Sequence, residues 1–362
     1  MTGALEALVT DPAAKANYPY DWRRPLVETA AELAEFAAEH LRAWRANPAG
    51  TSEARLVLVG HSMGGLLAWH AANCHLPTGD VAMVVTLGTP FGGSIKALRA
   101  IADGGVLPHS LYATSLRREL RRMPSIHDLL PSYTALNHHG TLRKPDHATL
   151  IACGADPDLV ATASAGRSRL DAATASGSRV PLYALAGTTQ PTAQSFTLAG
   201  GGFDVHESIG GRDWAGDGTV YFGAAYPRGG AVPFSLPQQH GALTRSPEAI
   251  QWVRHTIAAV ALGPPQGVGI GLAVPELVRA GPPFEIRVVN NGLDVSCRIN
   301  SAAGSAAPAT IHLRRREGEL YAITTIASAG LYTVTATGGS FTPITLDLLV
   351  IDEPSRARAG TT

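Results

Sequence analysis

The 362-residue chain is predicted to be an α/β protein, with a parallel sheet and flanking helices over residues 1–262 and then a small all-β sandwich over residues 268–353. Two observations carry this. Arg55-Leu56-Val57-Leu58-Val59 is a short apolar run of the kind that marks a strand buried on both faces, and the helix-like Gly65-Leu66-Leu67-Ala68-Trp69 follows it closely. Beyond Gly263-Pro264-Pro265-Gln266-Gly267, which breaks the preceding helix and reads as a linker, the apolar period switches from helical to alternating.

Taken in order, Thr2 to Thr10 is the tail of a helix and Asn17 to Trp22 a short strand. Leu26 to Trp44 is an amphipathic helix with Leu26, Ala30, Leu33, Ala37, Leu41 and Trp44 on one face. Residues 94–178 form a cap inserted over the sheet. In it, Leu98 and Ile101, then Leu111, Leu116 and Leu120, mark short amphipathic helices. Arg117, Arg118, Arg121 and Arg122 form a basic run, read as a solvated helix face with a lipid-headgroup contact as the alternative. Ser164 to Gly177, rich in Ala, Ser, Gly and Arg, is expected to be a mobile lid. Arg179 to Ala186 is the penultimate core strand and Ala231 to Ser235 the last. Ser246-Pro247-Glu248 supplies an N-cap, a first-turn proline and a first-turn acid for the final helix, with Ile250, Val253, Ile257 and Val260 at helical spacing.

In the second domain, Phe284 to Val289, Val295 to Ile299, Thr310 to Leu313, Leu320 to Ile326, Leu331 to Ala336 and Ile344 to Val350 are strand candidates, and Glu317-Gly318 fits a hairpin loop. Gly330-Leu331-Tyr332-Thr333-Val334 looks like the penultimate strand of an immunoglobulin-like module. This domain carries no catalytic constellation; it reads as a spacer or docking module with an unknown protein partner. Residues 354–362 are expected to be a disordered tail.

The chemistry centres on Gly60-His61-Ser62-Met63-Gly64. A pentapeptide G-x-S-x-G is a weak pattern in a chain with 39 glycines, but a strand before it and a helix after it make a nucleophile elbow. Such a turn lifts a serine hydroxyl above the carboxyl end of a parallel sheet, and side chains at the flanking glycines would collide with strand or helix. A serine nucleophile needs a base and an acid that orients the base. Asp217, in Trp214-Ala215-Gly216-Asp217-Gly218-Thr219-Val220, and His240, after the last strand, supply them in the order Ser, Asp, His. Asp213 and Asp204 compete with Asp217, and an Asp before Gly is often only a turn residue. The Met63 N–H, first in the helix, is the oxyanion donor. His138, His139, Asp146 and His147 cluster without the spacing of a metal motif and are read as solvated loop residues; no metal and no cofactor is expected. Cys74, Cys153 and Cys297 are read as small buried apolar residues.

Pro19-Tyr20-Asp21-Trp22-Arg23, Gly60-His61-Ser62-Met63-Gly64, Thr86-Leu87-Gly88-Thr89-Pro90-Phe91-Gly92-Gly93-Ser94-Ile95-Lys96 and Gly216-Asp217-Gly218-Thr219-Val220 resemble the successive motifs of the lecithin:cholesterol acyltransferase family. The resemblance covers roughly residues 15 to 262, with little between about 97 and 178. It implies an α/β-hydrolase core, an acyl-enzyme on the serine, transfer of a fatty acyl group from a lipid ester to water or an alcohol, and Ser62, Asp217 and His240 as the triad. In one respect the chain departs from the family, whose members carry an apolar strand and a glycine-rich loop, the source of an oxyanion N–H, before the Pro-Tyr-Asp-Trp motif. Here no strand precedes it. The expectation is a start lying upstream of Met1 or a fragment, with a decayed gene as the alternative. In the usual order the missing strand is central, so its neighbours would pair directly or expose backbone groups within the core.

Composition is that of an ordinary enzyme: 45% hydrophobic, 16% charged, with 29 basic and 29 acidic residues. That balance leaves no footprint for nucleic acid and no polybasic membrane anchor. No window is long enough to span a membrane, and the first residues show no signal peptide, so the chain as written is expected in the cytoplasm, with secretion open if the start lies upstream. The competing function is a catalytically impaired protein that binds a lipid or a partner. Peptidase and thioesterase readings share the triad architecture and differ only in substrate.

Overall fold

Apolar spacing decides the first elements. After α1 (Thr2–Glu6), helix α2 (Leu26–Ala46) buries Leu26, Ala30, Ala34, Ala37 and Leu41, about one residue per turn. Ala34, Ala37 and Leu41 share a core with Leu56, Trp69 and Val84, while Leu33 and Trp44, expected on that face, are half-buried. The computed structural model describes residues 2–6, 8–9, 11–104, 111–175, 180–199, 202–258, 270–289, 294–302, 309–316, 319–338 and 341–352.

Strand β1 (Leu56–His61), helix α3 (Met63–Cys74) and strand β2 (Val81–Leu87) form a β-α-β unit, with Val59 opposite Val85 and His61 opposite Leu87. A parallel pair requires a crossover connection, and α3 supplies it. Because α3 packs against both strands and α2, it buries every residue from Gly65 to Ala72 rather than a single stripe.

The chain then leaves the sheet through α4 (Ile95–Ala102), α5 (Leu111–Leu120), α6 (Pro124–Asp128), β3 (Leu136–His138), β4 (Thr141–Arg143), α7 (His147–Ala152) and α8 (Pro157–Thr174). β5 (Leu182–Gly187) returns beside β2, β6 (Ser195–Ala199) and β7 (Gly202–His206) leave again, and β8 (Phe234–Leu236) precedes α9 (Pro247–Ile257). The core sheet has the order β1-β2-β5-β8 with every pair parallel. β6 and β7 join β3 and β4 in a small sheet of order β4-β3-β6-β7, in which Leu136 lies opposite Phe196. Ile95, Leu98, Ile101, Leu136 and Phe196 give this layer its own core. Of Ser164 to Gly177, expected as a mobile lid, the part up to Thr174 is the second half of α8 and 176–177 lie outside the described residues; its alanines and arginines are strong helix formers, and Asp156 caps the start.

The chain before β1 differs from expectation. Asn17 to Trp22 is not a strand, although Tyr18 and Tyr20 stack with ring centroids 6.3 Å apart. Strand β1, expected in the interior, is an edge strand paired with β2 alone among the described residues. The consecutive residues Leu56 to His61 instead line an open cavity of about 900 Å³, with Tyr18, Tyr20 and Leu33 also in its wall.

The chain divides into two compact units, Met1–Gln266 and Gly267–Thr362. The expected linker at 263–267, Val260, the Glu317-Gly318 loop and the tail at 354–362 lie outside the described residues. The second unit contains β9 (Gly271–Ala273), β10 (Leu277–Arg279), β11 (Phe284–Val289), β12 (Ser296–Ser301), β13 (Ala309–Ile311), β14 (Arg314–Arg316), β15 (Glu319–Thr324), β16 (Gly330–Gly338) and β17 (Phe341–Ile351). They form two sheets, β10-β17-β16-β12-β13 and β14-β15-β11-β9, antiparallel except for β10 against β17. Alternation fills the space between them: Phe284, Ile286 and Val288 from one sheet meet Val334, Ala336 and Leu346 from the other. Cys297 is fully buried there; Cys153 is buried in the first unit and Cys74 half-buried.

Candidate active site

Ser62 stands between the end of β1 and the start of α3 with φ 52° and ψ −128°, a conformation that costs a non-glycine residue about 1–3 kcal/mol. Several bonds hold it there. The Ser62 N–H donates to the Leu87 carbonyl at 2.9 Å, and the Ser62 carbonyl accepts from the Gly65 N–H and the Thr89 hydroxyl, each at 3.0 Å. A Cβ on Gly60 would sit 2.5 Å from the Gly64 backbone, and one on Gly65 would sit 1.9 Å from Thr89 Oγ1. The tight positions are therefore Gly60 and Gly65. At Gly64 a Cβ would meet only the Tyr20 hydroxyl, at 3.6 Å.

Asp217 follows the excursion after β5, tied back to it by a bridge to Gln190. Its carboxylate does two things. Oδ1 accepts from the Thr219 and Val220 amides at 3.0 and 2.7 Å, the turn role that Asp-Gly suggests, and Oδ2 lies 2.8 Å from His240 Nδ1. Asp217 is 1% exposed. The His240 N–H donates to the Asp217 carbonyl at 2.8 Å, which fixes the backbone of the acid against that of the histidine. On the other side of the ring, Nε2 is 2.9 Å from Ser62 Oγ. Gly88, with φ +57°, leaves room for this pair, since its Cβ would fall 3.0 Å from both Asp217 Oδ2 and His240 Nδ1.

Ser62, Asp217 and His240 are thus brought together, and Asp213 and Asp204 are not. Asp213 Oδ1 accepts from Gln194 and the Ala215 amide, and Asp204 lies in β7 opposite Thr197. The Met63 amide is the first in α3, where a helix has no internal acceptor for it. Among the described residues no group of three His, Cys, Asp or Glu could hold a metal ion; Asp146 caps α7 through the Thr149 amide.

His61 was not singled out by the sequence reading. Its Nε2 lies 3.0 Å from the His240 carbonyl and its ring centroid 4.8 Å from that of His240. Burial first, then the neighbouring His240, pushes its imidazole down to about 4, so it is neutral and its Nε2–H donates to that carbonyl. The signal was its place beside Ser62; its partner is 179 residues away.

Among solved structures, the chain is similar to that titled "The crystal structure of Tle4-Tli4 complex" at 16% identity and a TM-score of 0.46; the match covers 66% of this chain and 65%, just under two thirds, of that one. It is similar to the mature lipase BlEst2 of Bacillus licheniformis at 16% identity and a TM-score of 0.31, over 59% of this chain and 65% of the lipase. A superoxide reductase (neelaredoxin) of Ignicoccus hospitalis matches 23% of the chain at 12% identity and a TM-score of 0.19, over 79% of its own length. No curated protein matches. Residues 12–155, which carry the serine turn, match the family model described as Lecithin:cholesterol acyltransferase, the family that the motifs resemble.

Proposed function

We propose that this chain is a serine-dependent acyl-ester hydrolase or O-acyltransferase acting on lipid esters. The observation that carries the reading is the continuous relay from Ser62 Oγ to His240 Nε2 at 2.9 Å and from His240 Nδ1 to Asp217 Oδ2 at 2.8 Å. As Oγ attacks the acyl carbonyl carbon, its proton passes to His240 Nε2, and the electron pair of the carbonyl moves onto oxygen. The Met63 N–H donates to that oxyanion, while Asp217, a hydrogen-bonded carboxylate, stabilises the imidazolium. Collapse expels the alcohol, which takes the proton from His240 and leaves the acyl group on Ser62. Water or an acceptor alcohol then gives its proton to His240 and attacks the acyl carbon; the acyl–Oγ bond breaks, Oγ takes the proton back from His240, and the carboxylic acid or new ester leaves. The preference for lipid esters over peptides or thioesters rests on the family match across residues 12–155. A panel of ester, thioester and peptide substrates tests it. Ester turnover that disappears in Ser62→Ala is the expected result, and faster turnover of the thioester would overturn the substrate class.

A second reading, a catalytically impaired protein that binds a lipid or a partner, has two observations in its favour. Met63 is the one oxyanion donor identified, and a cavity of about 900 Å³ lies along the exposed edge of the strand that presents Ser62. Loss of one donor typically lowers the rate by on the order of 10² to 10³, which slows an enzyme without abolishing it. The second unit is read as an immunoglobulin-like spacer or docking module, supported by the central place of β16 between β12 and β17.

A further inference from the structure

The insertion carries a second concave feature that the serine chemistry does not use. Arg117, Arg118, Arg121 and Arg122 line one side of a pocket of about 530 Å³, and the turn from Gly154 to Pro157 lines the other. A basic run on a helix is ordinarily a solvated face with its charges spread apart. Here α5 ends at Leu120 and the chain turns directly after it: the Arg121 amide still donates to the Arg117 carbonyl at 3.0 Å, one turn back, which sets these two like charges close enough to repel unless something neutralises them. Arg121 is also pinned. Its Nε donates to the Ile101 carbonyl at 2.9 Å, and its guanidinium lies where a Cβ on Gly154 would come within 2.1 Å of Nη2. Gly154 has φ +98°, a conformation that keeps side chains away from this position and leaves the notch to the arginine.

None of the four arginines forms an ion pair with a carboxylate among the described residues. Asp156, the acid in the opposite wall, turns its Oδ1 to the Asp158 and Leu159 amides at 3.0 and 3.1 Å as the cap of α8. It offsets part of the charge without engaging a guanidinium. The pocket is therefore lined by four guanidinium groups that no carboxylate among the described residues engages, with only the Nε of Arg121 given to a protein carbonyl.

We propose that this pocket binds a phosphoryl group. Guanidinium forks match phosphate oxygens two at a time, and several converging forks suit a tetrahedral anion with three or four acceptors better than a planar carboxylate. Two sources supply that chemistry, free phosphate and the headgroup of a phospholipid. The site itself stands on the pocket; its use as a headgroup contact rests on the acyl-ester reading above.

The test uses the full chain and the double variant Arg118→Gln, Arg122→Gln, which leaves the pinned Arg121 in place. Each is titrated with inorganic phosphate against a chloride control of equal ionic strength. Each is also floated with phosphatidylcholine vesicles with and without phosphatidic acid. Saturable phosphate binding that weakens at least about tenfold in the variant is expected. Capture by the vesicles containing phosphatidic acid, displaced by free phosphate, assigns the headgroup as the source; phosphate binding without capture assigns the free ion. Absence of saturable binding, or binding that the variant leaves unchanged, overturns the proposal. Fluorophosphonate labelling of Ser62 in the same samples keeps the two readings apart. Retained labelling shows that the variant is folded, and phosphate binding without labelling would strike the acyl-ester reading alone.

Discussion

Each member of the Ser62, His240 and Asp217 set is held by backbone groups as well as by its neighbour, and this separates geometry from chemistry in a mutant. Asp217→Asn keeps an oxygen for the Thr219 and Val220 amides but places an amide where Oδ2 accepted from His240. Turnover is expected to fall by about 10⁴ with the urea midpoint little changed, because the wrong histidine tautomer is favoured. His61 gives a different signature. Its pKa is depressed in the fold to about 4 from 6.5, so the stability contributed by the neutral ring is fully present above about 6.5 and lost as pH falls toward 4. Urea unfolding at pH 7 and pH 5 should show the drop in stability between them shrinking by about 2 kcal/mol in His61→Gln. The serine turn was legible in sequence because strand, glycine and helix are local. The contact of His61 with His240 was not, since chain folding alone brings residues that far apart together.

At the scale of elements, β1 presents the serine from what is, among the described residues, an edge of the core sheet. β2 is paired on both sides, by β1 and β5, whereas β1 is paired on one, and in a parallel strand successive residues direct their amides to opposite sides. Alternate amides of β1 should therefore exchange at least about tenfold faster than those of β2 when followed by NMR. Uniform protection along β1 would mean that something else pairs with it. Long periodic elements such as α2 and β11 were readable within a residue or two of their observed ends. The short strands β3, β4, β9, β10 and β14, of three residues each, were not. A segment of that length has no period of its own, and its strand character comes from a partner such as Phe196 opposite Leu136. The helix through Ser164 to Thr174 was not legible, because its small polar residues carry no apolar period; a capped start and helix-forming residues extend α8 through it.

For the whole molecule, the apolar period of the sequence changes at the Gly-Pro stretch, and the chain divides into two compact units, Met1–Gln266 and Gly267–Thr362. Among the described residues, every hydrogen-bond partner of Ser62, Asp217 and His240 belongs to the first unit. A chain ending at Gln266 should accordingly keep its rate of labelling at Ser62 within about a factor of two, since groups that share no partners usually act independently. A much larger loss would assign the sandwich a part in the chemistry. The most direct measurement is intact-mass labelling of the full chain with a fluorophosphonate, beside Ser62→Ala. A single stoichiometric adduct that disappears in the mutant is predicted, because in the proposed function the relay from Asp217 through His240 activates that hydroxyl. A folded protein that takes no adduct, or a mutant that still takes one, would contradict it.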